Sequence, residues 1–314
     1  KPPKKLVVIG AGYIGLEMGT VWSRLGAEVE VIEYLPRILP GMDLEIANKF
    51  KELLAKQGLK FHLGTAVESA KTSRAGVTLT VADAKTKEQK NLSCDIALVS
   101  VGRKPNTENL GLEALGVEMT DRGQIAVDSD FETNINGIFA VGDVIPGPML
   151  AHKAEEDAVA AVEIMAGQAG HVDYDLVPGI VYTAPEIATL GATEETLKES
   201  GIDYKKGVFP FLANSRAKAT GLTDGFVKFL ADAKTDKVLG CHIIAHEAGT
   251  LIHEVAAAMA FGASSEDIAR TCHGHPTMNE AVKEIKINFN YSFLVIAKSS
   301  MLNNEYKIIK ETLF

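Results

Sequence analysis

The sequence predicts an α/β protein whose first domain is built on a parallel sheet, with a smaller α+β domain toward the C-terminus. Three observations carry that prediction. A β-branched run at residues 6–9 ends in glycine, apolar residues follow it at helical spacing, and a second, alternating run occupies residues 28–33. Strand, helix and strand in so short a stretch form a βαβ unit, whose strands run parallel because the helix carries the chain back. The chain is long enough for more: 314 residues, 46% hydrophobic and 23% charged, supply a sizeable core and two or more domains.

The elements follow in order. Ile14, Met18, Val21, Trp22 and Leu25 recur at the spacing of a helix that Gly26 closes. "EVEVIE" reads as the second strand, and Asp43 as the N-cap of a helix running through "EIANKFKELLAKQ" to Gly58. Further strands, read as members of the same parallel sheet, are expected at residues 60–63, 77–81 and 95–100. Beyond Gly102 the texture changes to loops with short strands, among them "GIFAVGD" at 137–143, and then a helix from Ala151 to Met165. After Pro178 come more strands and two late helices, with "GFVKFLAD" and "KVLGCHII" forming an antiparallel pair around "AKTD". Domains are thus expected at 1–103, 104–178 and 179–285. Residues 286–314, rich in Lys, Asn, Ile and Phe without a period, form an atypical tail that reads as a gene-model or splicing artefact, or else as a genuine extension.

Composition narrows the function. The apolar run at 96–101 is strand-length, far short of the roughly 18 residues that point to a membrane span. A net charge of −9 with no dense Lys/Arg block argues against nucleic acid and anionic membranes as partners. Cys94, Cys241 and Cys272 are too few and too scattered for a secreted disulfide framework, and point to a reducing compartment. The opening "KPPKK", running straight into a strand, reads as an internal starting point of a longer chain.

"GAGYIG", spanning Gly10, Ala11, Gly12, Tyr13, Ile14 and Gly15 and followed by Leu16, sits where a strand passes into a helix. With an acid at Glu33, 18 residues after Gly15, it completes a Rossmann-type dinucleotide fingerprint. Gly10 permits the tight turn, Gly12 lets the backbone approach a pyrophosphate, and Gly15 allows close helix–strand packing. Glu33 accepts ribose hydroxyls and repels a 2′-phosphate, so NAD is preferred to NADP. Near the other end, "TCHGHPTMNE" sets His273, His275 and Glu280 beside Pro276. That pattern fits either a base with its orienting carboxylate or two capping histidines.

The glycine fingerprint, "VGRKPNT", "GIFAVGD", "MLAHKAEED", "VYTAPEIATLG", "FPFLANSRAKA" and "CHGHPTMNEAVKE" occur in an order that resembles the FAD-dependent pyridine nucleotide-disulfide oxidoreductases. Within that family the wording resembles the dihydrolipoamide-oxidising branch of plant mitochondrial type, over about residues 4–284. The resemblance implies a Rossmann-like NAD domain, the returning part of an FAD domain, and a C-terminal dimerisation domain. It further implies that Asp143 holds the flavin ribityl chain and that Met149, Leu150, Ala151 and His152 meet the flavin through their backbone. Glu17 would sit by the nicotinamide, and Val67 and Gly102 against NAD. By the family's H-P-T-x-x-E motif, His275 would be the base and Glu280 its orienting partner, with His273 supporting the loop. The implied partners are a second copy, which receives the base across a two-fold axis, and a lipoyl-bearing acyltransferase or carrier protein; the implied location is the mitochondrial matrix, or a plastid.

Two family features are not in these 314 residues: a second G-x-G-x-x-G for the FAD adenosine and a redox-active C-x-x-x-x-C pair. The three cysteines receive no redox role, and the chain by itself is expected to bind NADH weakly, stay colourless and reduce no NAD. A glutathione-reducing enzyme is the alternative within the family, although arginines would then be expected after the second strand in place of "IEYLP". A nucleotide-binding and dimerisation module is the alternative outside it.

Overall fold

The computed structural model describes residues 1–285. The expectation about the tail at 286–314 lies outside the described residues. The described chain divides into two compact units, one made of residues 1–101 and 178–285, the other of Gly102–Val177.

The first unit opens with β1 (Lys5–Ile9), α1 (Tyr13–Arg24), β2 (Glu28–Ile32), α2 (Leu44–Lys56) and β3 (Lys60–His62). Three antiparallel strands follow, β4 (Thr65–Ser73), β5 (Gly76–Asp83) and β6 (Gln89–Cys94), and then β7 (Ile96–Val99). β3, β2, β1 and β7 form a parallel sheet in that order, with Val8 opposite Val31 and Leu98. Leu6, Val7 and Val8 are all buried because both faces of β1 are covered, which is why the strand reads as a continuous apolar run. Val8 joins the core beneath α1 and α2, and Val7 packs with Ile32, Leu79 and Val81 on the other face.

Two departures from the sequence expectation stand out here. Residues 77–81 belong to an antiparallel three-stranded sheet, and its partners β4 and β6 were not anticipated. "TAVESAKTS" and "QKNLSC" are mostly exposed, so they carry no apolar signal, and only Leu79, Val81 and Ala82 of the central strand are buried. The helix α1 forms as predicted, but most of the apolar stripe used to predict it faces outward. Ile14, Met18, Val21 and Leu25 are exposed, and the buried face is Gly15, Leu16, Gly19 and Thr20. A Cβ on Gly19 would lie 3.5 Å from Val29 and 3.6 Å from Val8, so the small residues bring the helix close to the sheet. Asp43 does cap α2, accepting from the amides of Glu45 and Ile46 at 3.1 and 3.4 Å.

The second unit contains α3 (Leu112–Leu115) and α4 (Ala151–Met165), around a small core of Val117, Ile125, Phe131, Ala140, Ile145, Ala160 and Ala161. The strand expected at 137–143 is reduced to a single bridge between Glu132 and Phe139, followed by a 3₁₀ turn at Gly142–Val144. Gly137 and Gly142, at φ of +80° and +79°, turn the chain at both ends of the segment and leave no room for a ladder.

The remainder of the first unit holds β8 (Gly179–Val181), β9 (Glu186–Gly191), α5 (Glu194–Glu199), β10 (Tyr204–Pro210), α6 (Ser215–Thr220), β11 (Phe226–Asp232), β12 (Val238–Ala245), α7 (Ala248–Ala260), α8 (Ser265–Arg270) and α9 (Glu280–Lys283). The five strands form an antiparallel sheet in the order β10-β11-β12-β9-β8, and the predicted hairpin is β11 with β12. α7 is rooted on this sheet through Leu251, Ile252 and Val255. α9 is one turn that follows the histidine segment directly.

Candidate functional site

The turn from β1 into α1 is shaped by what cannot be there. Gly10 has φ of +102°, and a Cβ on it would stand 2.3 Å from the carbonyl oxygen of Ser100. A Cβ on Gly15 would stand 2.1 Å from the carbonyl oxygen of Gly10. Both positions exclude any side chain for packing reasons. Gly12 is different: it caps α1 in an extended conformation, no side chain caps the helix there, and nothing lies within 4 Å of its missing Cβ. That open space lies in front of a helix N-terminus, whose amides and partial positive charge suit a pyrophosphate.

Glu33, just past β2, reaches back over this turn. Its Oε2 accepts from the amide of Ala11 at 2.8 Å and its Oε1 from that of Leu35 at 2.9 Å. A carboxylate has about four lone-pair sites, so acceptor capacity remains for two ribose hydroxyls. Ala11 and Leu16 are buried, and Tyr13 lies with its hydroxyl 3.1 Å from where a Cβ on Gly179 would be. Burial pushes the Tyr13 phenol above its ordinary pKa. At these three positions the side chains serve packing, whereas the Ile14 side chain is exposed. Glu17 accepts from the amide of Tyr182 at 2.8 Å, which ties α1 to the end of β8. Val67 packs, half-buried, beside Val7 and Leu79.

In the second unit Gly102 has φ of +117°, and Asp143 pairs with Arg103 at 2.9 Å, while the same guanidinium donates to the carbonyl of Met149. Arg103 therefore joins the acid to the segment 149–152, a role the sequence motif "VGRKPNT" contained but did not reveal. Leu150 stands at the N-cap of α4 with no side-chain cap and no acid in the first turn, so the end of a 15-residue helix presents its positive pole there. His152 is the second residue of that helix and is half-buried. Behind it, buried Lys153 and Asp157 pair at 2.7 Å, and they hold the Gly142 carbonyl and amide at 3.1 and 3.0 Å. This i,i+4 pair in "AHKAEED" fixes the turn that carries Asp143 and was legible as a helical ion pair.

The histidine segment lies between α8 and α9. His275 Nδ1 is 2.8 Å from Glu280 Oε1, and the other carboxylate oxygen takes the Thr277 amide at 2.9 Å. A carboxylate only accepts, so Nδ1 carries the hydrogen and Nε2 is left as the acceptor nitrogen of the neutral ring. The His275 side chain is 64% exposed. His273 is its opposite at 6%, with Nε2 at 2.5 Å from Glu254 and Nδ1 at 2.9 Å from the Thr271 carbonyl. Thus the structure pairs His275 with Glu280 and packs His273 away. Glu254, 19 residues upstream, gave no signal in the sequence.

A charge cluster around buried Lys228, also not anticipated, joins the start of α2 and α5 to the five-stranded sheet. Lys228 of β11, fully buried, lies 2.9 Å from Asp43, 2.7 Å from Glu194 and 3.0 Å from Glu45. Burial alone would raise the carboxyls of Asp43 and Glu194, but the Lys228 ammonium outweighs it and leaves both below the ordinary carboxylate range. His242 also lies near Asp43, yet burial lowers its own pKa and favours the neutral ring, so Lys228 is the charge that matters. Of the cysteines, Cys94 and Cys241 are buried, and burial raises both thiols. Thiols held protonated are poor nucleophiles.

Residues 1–158 match the family model described as pyridine nucleotide-disulphide oxidoreductase, and residues 177–286 match the dimerisation domain of the same family. Over 282 residues the chain is 58% identical to a mitochondrial dihydrolipoyl dehydrogenase of Pisum sativum, covering 90% of this chain and 56% of the relative. It is equally 58% identical to leghemoglobin reductase of Glycine max, covering 54% of that protein. The crystal structure of LpdA from Mycobacterium tuberculosis matches with a TM-score of 0.84 at 26% identity, covering 92% of this chain and 62% of that one. The chain spans about half the length of the curated relatives it matches.

Proposed function

The chain belongs to the pyridine nucleotide-disulphide oxidoreductase family, and from that premise we propose that it serves the oxidation of a protein-bound dihydrolipoyl group by NAD. The dithiol loses two electrons and two protons and closes to a disulfide; NAD takes up a hydride, and one proton passes to solvent. The observation that carries this reading is the His275–Glu280 pair. Glu280 holds the ring by Nδ1 at 2.8 Å, so Nε2 is directed to a proton acceptor's task on an exposed imidazole. A thiol must lose its proton before its sulfur can attack a disulfide. Histidine suits that transfer near neutral pH, and Glu280 stabilises the imidazolium it produces.

Gly12 and the first turn of α1 hold the NAD pyrophosphate, and Glu33 the adenosine ribose, where a 2′-phosphate would meet its negative charge. Glu17 lies toward the nicotinamide. The Asp143 carboxylate and the uncapped start of α4, at Met149, Leu150, Ala151 and His152, fit the ribityl chain and the ring of FAD. FAD supplies, when bound, a two-electron relay between thiols and nicotinamide. The match of residues 177–286 to a dimerisation domain supports a homodimer, with the base offered to the partner. The partner substrate is a lipoyl-bearing acyltransferase or carrier protein. Relatives named as mitochondrial support the mitochondrial matrix as the location.

A second reading rests on a specific observation: the 314 residues hold one G-x-G-x-x-G and no C-x-x-x-x-C. On that reading the chain by itself is an NAD-binding and dimerisation module. The two readings separate experimentally. In the flavin-loaded protein, His275→Gln is expected to lower dihydrolipoamide-dependent NAD reduction by about a hundredfold, with NADH affinity retained; undiminished turnover rejects the base. The 314-residue chain that binds NADH, stays colourless with added FAD and reduces no NAD is the module; a yellow, active preparation rejects it.

A further inference from the structure

His275 and Glu280 lie on an irregular segment, and an exposed pair on such a segment keeps one geometry only if something rigid anchors it. The anchor is the carboxylate of Glu254 on α7. Its Oε1 lies 2.5 Å from His273 Nε2, and its Oε2 accepts from Asn279 Nδ2 at 2.6 Å. His273 stands two residues before the proposed base, and Asn279 immediately before Glu280, so one carboxylate grips the segment just ahead of each member of the dyad. The platform beneath it does not yield: α7 is a 13-residue helix whose Leu251, Ile252 and Val255 are buried against the sheet. Within the segment, Thr277 Oγ1 bonds the Gly274 carbonyl at 2.8 Å, and Asn214 Nδ2 bonds the Thr277 carbonyl at 3.0 Å. These contacts hold the middle of the loop and leave its two ends to Glu254.

We propose that Glu254 is the positioning residue for His275: its two oxygens, by holding His273 and Asn279 together, keep Glu280 where it can bind His275 Nδ1 and so hold the ring in the tautomer that leaves Nε2 as acceptor. The inference rests on the reading of His275 as the base, but it makes a statement about ring geometry that is measurable without turnover. A merely structural Glu254 would change stability and leave the His275 tautomer alone.

The test is ¹H–¹⁵N spectroscopy of the histidine side chains in the full 314-residue chain, with NADH binding and the thermal midpoint followed in parallel. In the parent, His275 shows a protonated Nδ1, slow to exchange with water, and an unprotonated Nε2. In Glu254→Ala the two His275 tautomers become mixed and the Nδ1 proton exchanges about tenfold faster or more, the scale of a lost hydrogen bond to a charged group, while NADH binding at the distant glycine turn is unchanged. Glu254→Asp keeps the charge but withdraws the carboxylate by one methylene, so it reaches one anchor and gives the same change at smaller amplitude; it also serves should the alanine variant fail to fold. A His275 spectrum identical to the parent in either folded variant overturns the proposal. Failure of the base itself reads out elsewhere, as dihydrolipoamide turnover that survives His275→Gln in the flavin-loaded protein, and leaves the tautomer result standing.

Discussion

The glycine turn at residues 10–15 and the histidine segment at 271–280 are both irregular stretches entering a helix, yet they are built by opposite means. The first is defined by exclusion: a Cβ at Gly10 or Gly15 would lie 2.3 or 2.1 Å from a backbone oxygen, and a Cβ at Gly12 would meet nothing within 4 Å. The second is defined by attachment: Glu280 takes His275 and the Thr277 amide, while Glu254 takes His273 and Asn279. Steric exclusion tolerates no substitution but is indifferent to pH and salt. Side-chain attachment degrades by degrees as partners are removed.

The largest effect is expected where exclusion is complete. Gly15→Ala sets a methyl against a backbone oxygen that cannot rotate away, and should cost more than about 4 kcal/mol, at the extreme of single substitutions. Denaturant unfolding measures it, and a midpoint near the parent's would break the steric account. Next comes Lys228→Met, which removes the ammonium from between Asp43, Glu45 and Glu194 and should cost about 3–5 kcal/mol, as breaking a buried ion pair does. This cluster also sharpens the contrast in pH. Asp43 and Glu194 are held below their ordinary range when folded, so their contribution is complete above the unfolded values near about pH 4. It is lost as the pH falls from there toward their folded values. Thermal midpoints should therefore be flat in this respect from neutrality down to about pH 5 and fall steeply below about pH 4, and Lys228→Met should flatten the fall.

Smaller effects separate space from attachment. Gly12→Ala meets nothing within 4 Å, so the thermal midpoint should hold while NADH affinity drops about tenfold, because the methyl enters the space the pyrophosphate needs. Equal losses of stability and affinity would show that Gly12, too, is a packing glycine. The smallest change is Glu280→Gln: the amide oxygen still accepts from His275 Nδ1, but the charge is gone and an amide N–H₂ faces the Thr277 amide. Turnover of the flavin-loaded protein should fall about fivefold, the difference between a charged and a neutral acceptor. A loss as large as that of His275→Gln would mean that Glu280 does more than orient the ring.

Local chemistry made much of this protein legible in its sequence. A glycine turn between strand and helix is written in consecutive residues, because Gly10 takes a φ that glycine adopts freely and Gly15 stands where no Cβ fits; Asp43 as a cap and the β11–β12 hairpin are local in the same sense. His275 and Glu280 lie five residues apart, and their pairing was readable from spacing and family likeness together. What only the tertiary structure decided is whatever depends on a partner distant in the chain. The apolar stripe of α1 identified a helix but pointed away from the core, since the close approach that the small residues Gly15 and Gly19 allow to the sheet, and not apolar character, sets which face is buried. β4 and β6 carry too little apolar surface to be seen, and they exist as strands because β5 pairs with both. Glu254 and Lys228 are ordinary charged residues in the sequence; folding surrounds each with hydrogen-bonding partners 19 to 185 residues away, and a charge taken out of water keeps its place only through such partners.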